Sequence, residues 1–251
     1  MSLLWPDGRL AILPDRVAVV VGRTVTEIPV SVGTDDGIPA AVSAALKKSG
    51  CRGRLEIVLS HVLAPVWLLP TPPVRLSWQE TQGWVREQLV VFLGEAAGQY
   101  RPAFEPVPPG EPILVSALDE AWLAGLQAVL GQHGARASAV RPWFSVAANR
   151  HRAKLKRGSS WLALAEPGRL TLAFFEAGRL RILRGLAASG DMAAALRDGI
   201  RRESLLAGES SQAPVWLEAC GVQADWRPPG SPIEVRQIGA ADDGASLLAG
   251  S

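Results

Sequence analysis

Residues 10–28 read LAILPDRVAVVVGRTVTEI, and residues 162–183 read LALAEPGRLTLAFFEAGRLRIL. Each stretch is a short apolar run, a turn with Pro and Arg, a second apolar run, a Gly-Arg turn and a third run. Runs of this length, alternating or wholly apolar and punctuated by Pro and Gly, predict three strands joined by tight hairpins. The segments after the two copies also match. Residues 35–50, DDGIPAAVSAALKKSG, form an Ala-rich helix pattern with acids and a proline near its start and a Gly after its last turn. Residues 189–208, SGDMAAALRDGIRRESLLAG, repeat that logic, with Asp191 early, Arg201 and Arg202 later and Gly208 closing. One more strand comes after each helix, RLEIVLS at 54–60 and APVWLEA at 213–219. A strand-strand-strand-helix-strand unit is therefore used twice. Leu10 to Leu162 is an offset of 152 and Arg16 to Arg169 one of 153, which reads as a one-residue insertion in the second copy of the turn.

The middle of the chain differs in kind. Leu63 to Pro73 is an extended, Pro-punctuated apolar segment. Ser77 with Glu80 predicts a capping box, after which Val85, Leu89, Phe92 and Leu93 fall on one helical face. Residues 101–112 carry five prolines and read as a connection. ILVSA at 113–117 predicts a strand, and Asp119 to His133 a helix with Leu123, Leu126, Val129 and Leu130 inward. ASAV at 137–140 predicts another strand, and 142–157 a helix. The expected division is a first lobe beginning at 1–60, an inserted subdomain at 61–110, completion of the first lobe and a linker helix at 111–158, a second lobe at 159–238, and a disordered tail at 239–251 rich in Ala, Gly, Ser and Asp.

Composition excludes several classes. The chain has 251 residues, 48% hydrophobic and 20% charged, which is ordinary globular usage. Its 26 basic and 24 acidic residues give a formal charge of +2, too balanced for a protein that coats nucleic acid. Only Cys51 and Cys220 occur, so neither a disulfide scaffold nor a Cys-rich metal module is expected. The most apolar stretch, Leu55 to Pro70, is broken by Ser60, His61 and Pro65, and Pro6, Asp7 and Arg9 interrupt any secretory signal. The expectation is a cytoplasmic protein with reduced thiols.

Strong catalytic motifs fail in turn. There is no Gly-Lys dipeptide for a P-loop, no Gly-x-Gly-x-x-Gly, no Gly-x-Ser-x-Gly and no His-Glu-x-x-His. No catalytic or metal-binding residue is expected. His61 reads as a packed histidine, and the cysteines as small buried hydrophobes. The cluster Arg150, His151, Arg152, Lys154, Lys156 and Arg157 wraps several faces of a helix. It reads as a solvated helix end, with a nucleic-acid or anionic surface as the alternative. Of nine tryptophans, Trp67, Trp161 and Trp216 read as core, while Trp5 and Trp226, in Pro-flanked loops, read as possible exposed anchors for a partner.

The doubled unit resembles the ribonuclease-H-like lobes of the actin, Hsp70 and sugar-kinase superfamily. The runs VLAPVWLLPTPPVRLSWQETQGWVREQL (62–89), ILVSALDEAWLAGLQAVLGQHGARASAVRP (113–142) and SSWLALAEPGRLTLAFFEAGRL (159–180) are similar in pattern to the PilM-like and GspL-like proteins of type IV pilus and type II secretion machines. The resemblance covers about residues 9–220. It implies an α/β, duplicated actin-like fold whose two lobes flank a nucleotide cleft. In that superfamily ATP and magnesium are held by Gly-rich turns and a short carboxylate. Here the first turn is Leu13-Pro14-Asp15-Arg16, the second Glu166-Pro167-Gly168-Arg169 and the third Ala219-Cys220-Gly221. The prolines have no N–H to donate, so the expected relics of a degenerate nucleotide site are Asp15, Glu166, Gly168 and Gly221, with no cofactor. The resemblance further implies a non-catalytic scaffold peripheral to the bacterial inner membrane. Its implied partners are the cytoplasmic N-terminal peptide of a single-pass membrane protein, docked around 61–100, and an assembly ATPase; no nucleic acid is expected, and membrane contact only through a partner. An active ATP-binding member of the superfamily is the alternative.

Overall fold

The computed structural model describes residues 7–30, 37–108, 110–208, 213–227 and 233–238. Trp5, the acids at 35–36 and the tail at 239–251 lie outside them. The chain forms two compact units, one running to Pro142 and one beginning at Trp143.

The first unit contains β1 (Gly8–Ile12), β2 (Arg16–Val21), β3 (Thr24–Pro29), α1 (Gly37–Ser49) and β4 (Gly53–Leu59). These are followed by β5 (Val66–Leu69), α2 (Trp78–Leu93), β6 (Tyr100–Phe104), β7 (Ile113–Asp119), α3 (Glu120–Gln132) and β8 (Ala135–Pro142). Five strands make one sheet in the order β3-β2-β1-β4-β8. β1 is antiparallel to β2 and parallel to β4, which is parallel to β8. A parallel return needs a crossover, and α1 supplies it. Val42, Ala45 and Leu46 of α1, with Leu126 and Leu130 of α3, bury the apolar face formed by Leu10, Ile12, Val17, Val19, Leu55 and Ile57.

The second unit begins with α4 (Trp143–Arg150) and α5 (Arg152–Leu155). It continues through β9 (Ser159–Glu166), β10 (Arg169–Glu176), β11 (Arg179–Ala187), α6 (Met192–Ala207), β12 (Val215–Ala219) and β13 (Val235–Gln237). Its sheet order, β11-β10-β9-β12-β13, repeats the first. The side chain of Asp191 caps α6 by accepting from the Ala194 N–H at 2.9 Å. Leu196 and Ile200 bury α6 against Trp161, Leu172, Phe174 and Leu217. At Gly199 an added Cβ would come within 2.8 Å of both Leu172 and Leu186, so the helix rides close to the sheet.

Register corrects one sequence reading. Ile12 pairs with Val17 and Ala165 with Leu170, so each first hairpin closes over two residues, Pro14-Asp15 and Pro167-Gly168. Residues at the two turns thus correspond at a constant offset of 153, and no insertion occurs there; Leu10 matches Ala163, not Leu162. The equivalence extends to single bonds. The Val30 N–H donates to the Asp15 carbonyl at 2.8 Å, and the Ala188 N–H to that of Gly168 at 2.9 Å.

Between β4 and α3 lies a separate three-stranded sheet, β5-β7-β6, covered by α2. The strand expected to complete the first lobe at 113–117 is instead this sheet's central strand, paired antiparallel on both sides. Part of the connection expected at 101–112 is a strand as well. β6 is an edge strand and pairs only with β7, where proline is tolerated, so Pro102 sits opposite Ala117 without breaking the ladder. The capping box forms: Ser77 accepts from the Glu80 N–H, and Glu80 accepts from the Ser77 N–H at 2.7 Å. Val85 and Leu89 are buried beneath α2, whereas Phe92 is exposed and lies against Trp67, ring centroids 5.7 Å apart.

The helices at 143–155, expected as a linker, belong to the second unit, and one buried carboxylate holds them there. Glu218 of β12, 5% exposed, accepts from Trp143 Nε1 and Arg150 Nη1, each at 3.0 Å, and pairs with His151 Nε2. Burial alone would raise the Glu218 pKa. The hydrogen bond from His151, the charges of Arg150 and His151 and the hydrogen bond from Trp143 outweigh it and hold the carboxyl below the ordinary glutamate range.

A lowered carboxyl pKa contributes stability above the ordinary value of 4.5, and that contribution is lost as pH falls through the folded value. Acid titration of unfolding should therefore show a loss of stability below that pH, and Glu218→Gln should flatten it. Glu218→Ala, which leaves Arg150 and His151 without their acceptor, should cost about 3–5 kcal/mol in denaturant unfolding at neutral pH. Gly168 has φ +76, and a Cβ added there would meet nothing within 4 Å, so Gly168→Ala should cost about 1–2 kcal/mol through backbone strain alone.

Candidate functional site

Three of the four expected relics of a nucleotide site share one end of the second sheet. Gly168 lies in the tip of the β9–β10 hairpin and Glu166 immediately precedes that tip. Cys220 donates its backbone N–H to the Ala165 carbonyl at 2.9 Å, which brings Gly221 beside them. Asp15 occupies the equivalent hairpin of the first unit, with Oδ2 3.7 Å from Arg16 Nε. In both hairpins the carbonyl of the second loop residue is engaged by a backbone N–H from beyond the third strand. The first loop residue of each is a proline and offers no donor. Leu13, which is apolar and buried, stands where the second copy has the buried Glu166. A phosphate cradle needs several converging N–H groups, and neither Pro14 nor Pro167 can supply one. Among the described residues no group of three or more His, Cys, Asp or Glu is arranged to hold a metal ion. At the two hairpin tips, Pro14 and Pro167 stand where a bound phosphate would need a backbone donor.

The other candidates take structural places. Cys51 and Cys220 are both buried. Burial and the charge of Asp7 push the Cys51 thiol pKa up, which disfavours the thiolate a nucleophile needs. His61 is buried, and His133 Nε2 lies 2.8 Å from Ser43 Oγ. The basic cluster at 150–157 is divided: Arg150 and His151 turn inward to Glu218, Lys154 lies over the Trp216 ring at 4.8 Å, and Arg152, Lys156 and Arg157 face solvent. Trp226, expected as an exposed anchor, is buried with Val222 and Ile233 in the second core. Trp161 is fully buried as expected, while Trp67 and Trp216 are only half-buried.

An open groove lies on the inserted subdomain. A groove of about 720 Å³ runs between the extended segment after β5 and the segment after β6, at the N-terminal end of α2. Its apolar walls include Pro72, Val74, Trp78, Pro106, Val107 and Ile113, with Arg75, Glu105 and Glu111 among its polar groups. Trp78 is 48% exposed and rests on Phe104 with centroids 5.0 Å apart, so its ring is fixed before any ligand arrives. Val74 is 64% exposed. Proline-fixed backbone and a stacked tryptophan make a preorganised apolar surface, suited to an extended chain carrying apolar side chains. Half of it falls within the expected region of 61–100, and the opposite wall, 105–113, lies beyond it. The density of prolines at 102–112 was the sequence signal for that wall. The other group that sequence reasoning missed, Glu218, was signalled by a lone acid in the apolar run VWLEA.

No family model matches the chain, and no curated protein matches it in sequence. Solved structures do match in shape. One is described as the "PilM-PilN type IV pilus biogenesis complex", with TM-score 0.69 and 15% identity over 96% of this chain and 91% of that one. Another is the cytoplasmic domain of EpsL, an inner membrane component of the type II secretion system of Vibrio cholerae, with TM-score 0.60 and 13% identity over 96% and 92%. A third is a Bacteroides thetaiotaomicron protein of actin-like ATPase fold and unknown function, with TM-score 0.60 and 10% identity over 85% and 82%. The chain therefore has the actin-like fold, built from two copies of one five-stranded unit, and in shape it resembles the PilM and GspL cytoplasmic proteins.

Proposed function

We propose that the chain is a non-catalytic actin-like scaffold of a type IV pilus or type II secretion assembly platform. It works on the cytoplasmic side of the inner membrane and receives the N-terminal cytoplasmic peptide of a single-pass membrane partner. The observation that carries this reading is the groove lined by Trp78. It is apolar, it is fixed by prolines, and it lies on a subdomain outside the duplicated units. The similarity in shape to a protein solved in complex with PilN, and to a component of a secretion system, supports the choice of machine. Among the described residues no helix is long and apolar enough to cross a membrane; the reading assigns the anchor to the membrane partner. The assembly ATPase of the same machine is the second expected partner. Asp15, Glu166, Gly168 and Gly221 are then relics of a nucleotide cleft whose turns have lost their donors.

The alternative is a working ATP-binding member of the same fold, favoured by the fold itself. Two measurements separate the readings. Titration calorimetry with magnesium-ATP should give no binding heat, and saturable binding that shifts the melting temperature would overturn the non-catalytic reading. For the groove, Trp78→Ala and Val107→Asp should each weaken binding of the partner's N-terminal peptide by tenfold or more, a loss of about 1.4 kcal/mol. The melting temperature should stay close to that of the parent chain. Unchanged peptide affinity in both variants would show that the peptide docks elsewhere.

A further inference from the structure

The near-neutral charge of the whole sequence conceals a division within the second unit. Three of its carboxylates, Glu166, Glu203 and Glu218, are buried, while its arginines and lysines stay mostly at the surface. The exposed cations are not scattered. Lys156 packs against the tip of the β10–β11 hairpin, where the Gly158 carbonyl accepts the Ala177 N–H at 2.7 Å. From that tip Arg179, Arg181 and Arg184 run along β11, the outer strand of its sheet. Arg184 Nε meets Glu203 Oε2 at 3.1 Å, and Arg202 Nη2 meets Glu203 Oε1 at 2.9 Å, so one buried carboxylate links the strand to α6. Arg201 and Arg202 then lead to Leu205 and Leu206 one turn on, 75% and 76% exposed. With Arg157, the belt holds seven cations. The carboxylates along it include Glu176, paired to Arg181, the buried Glu203 and the exposed Asp198, and Arg179 is itself engaged in an interaction. Nine residues of strand give it a length of about 30 Å.

We propose that this belt is a contact surface for anionic phospholipid headgroups, with Leu205 and Leu206 entering the interface beside it. Charge complementarity favours a polyanion, and the leucine pair selects among polyanions. Two branched apolar side chains standing three-quarters in water gain from the headgroup–acyl boundary and nothing from a phosphodiester backbone. No aromatic side chain interleaves the belt to stack on bases. Such a contact is peripheral and direct, beyond the expectation of membrane contact only through a partner, and it does not depend on the groove.

The test is sedimentation of the intact chain with vesicles. Phosphatidylglycerol-containing vesicles should retain it at low salt and release it at high salt, while pure phosphatidylcholine vesicles should not retain it. Arg157→Gln and Arg201→Gln, chosen because neither touches Glu203, should each lower the partition coefficient about fivefold. Leu205→Ser with Leu206→Ser should lower it further at unchanged salt dependence. Absence of binding by the intact chain, equal binding to neutral vesicles, or indifference to these substitutions would overturn the proposal. Stronger retention by duplex DNA or polyglutamate at the same salt would overturn it too, by assigning the belt to another polyanion. A melting temperature equal to that of the parent chain shows that each variant is folded.

Discussion

The Ser60 N–H donates to the Ile12 carbonyl at 3.0 Å, and the Cys220 N–H donates to the Ala165 carbonyl at 2.9 Å. These two bonds are the same bond in two copies. Each fastens the end of a returning parallel strand to the end of the first strand, and a parallel return obliges the chain to cross one face of the sheet through a helix. The hairpin on one side, the crossover helix on the other and the fifth strand beyond all take their places from that closure. It is also the point at which the copies diverge. After Ser60 the first unit inserts an entire three-stranded layer, whereas after Cys220 the second has no such layer among its described residues and buries Trp226 in its core. The candidate groove is a product of that divergence.

The repeated unit could be read from the sequence because its signals are local. Apolar runs of five to nine residues, Pro and Gly at the turns, and Asp191 before an Ala-rich stretch each act within a few residues. What escaped was everything set by distant partners. ILVSALD reads as a strand anywhere, and only its pairing with β5 and β6 assigns it to the inserted sheet. β13, three residues after a Pro-rich stretch, has no periodicity to detect. Glu218 meets partners 67 to 75 residues away, so no window of sequence contains the interaction. Trp226 looked exposed from its proline flanks, yet burying a large ring against the second core outweighs the loop's local character. At the candidate site, half of the groove was legible from the capped helix and the segment before it. The opposite wall was hidden because its prolines read as a connection.

Charge is handled differently in the two halves. In the first, Glu56 sits between Arg9 and Arg141 across three neighbouring strands, each nitrogen at 3.2 Å, as a surface ladder. In the second, two carboxylates are drawn inward and each serves more than one donor. Glu218 fastens two helices to a sheet, and Glu203 fastens a strand to a helix. A buried carboxylate with several donors costs desolvation but fixes geometry, since few other arrangements satisfy it. The remaining arginines are thereby left at the surface in a fixed order.

Pro102 in the outer strand of the inserted sheet gives that margin a specific behaviour. A β-margin with every amide free is a template that any passing polypeptide can join, whatever its side chains. Here one rung is absent from the middle of a five-residue margin, and the chain that follows it leads into further prolines. A visitor that tried to extend the sheet would find a gap in the ladder where it needs continuity. Recognition on this subdomain is thus pushed away from sequence-blind main-chain zipping and toward the fit of individual side chains, which is how a small surface tells one polypeptide from another.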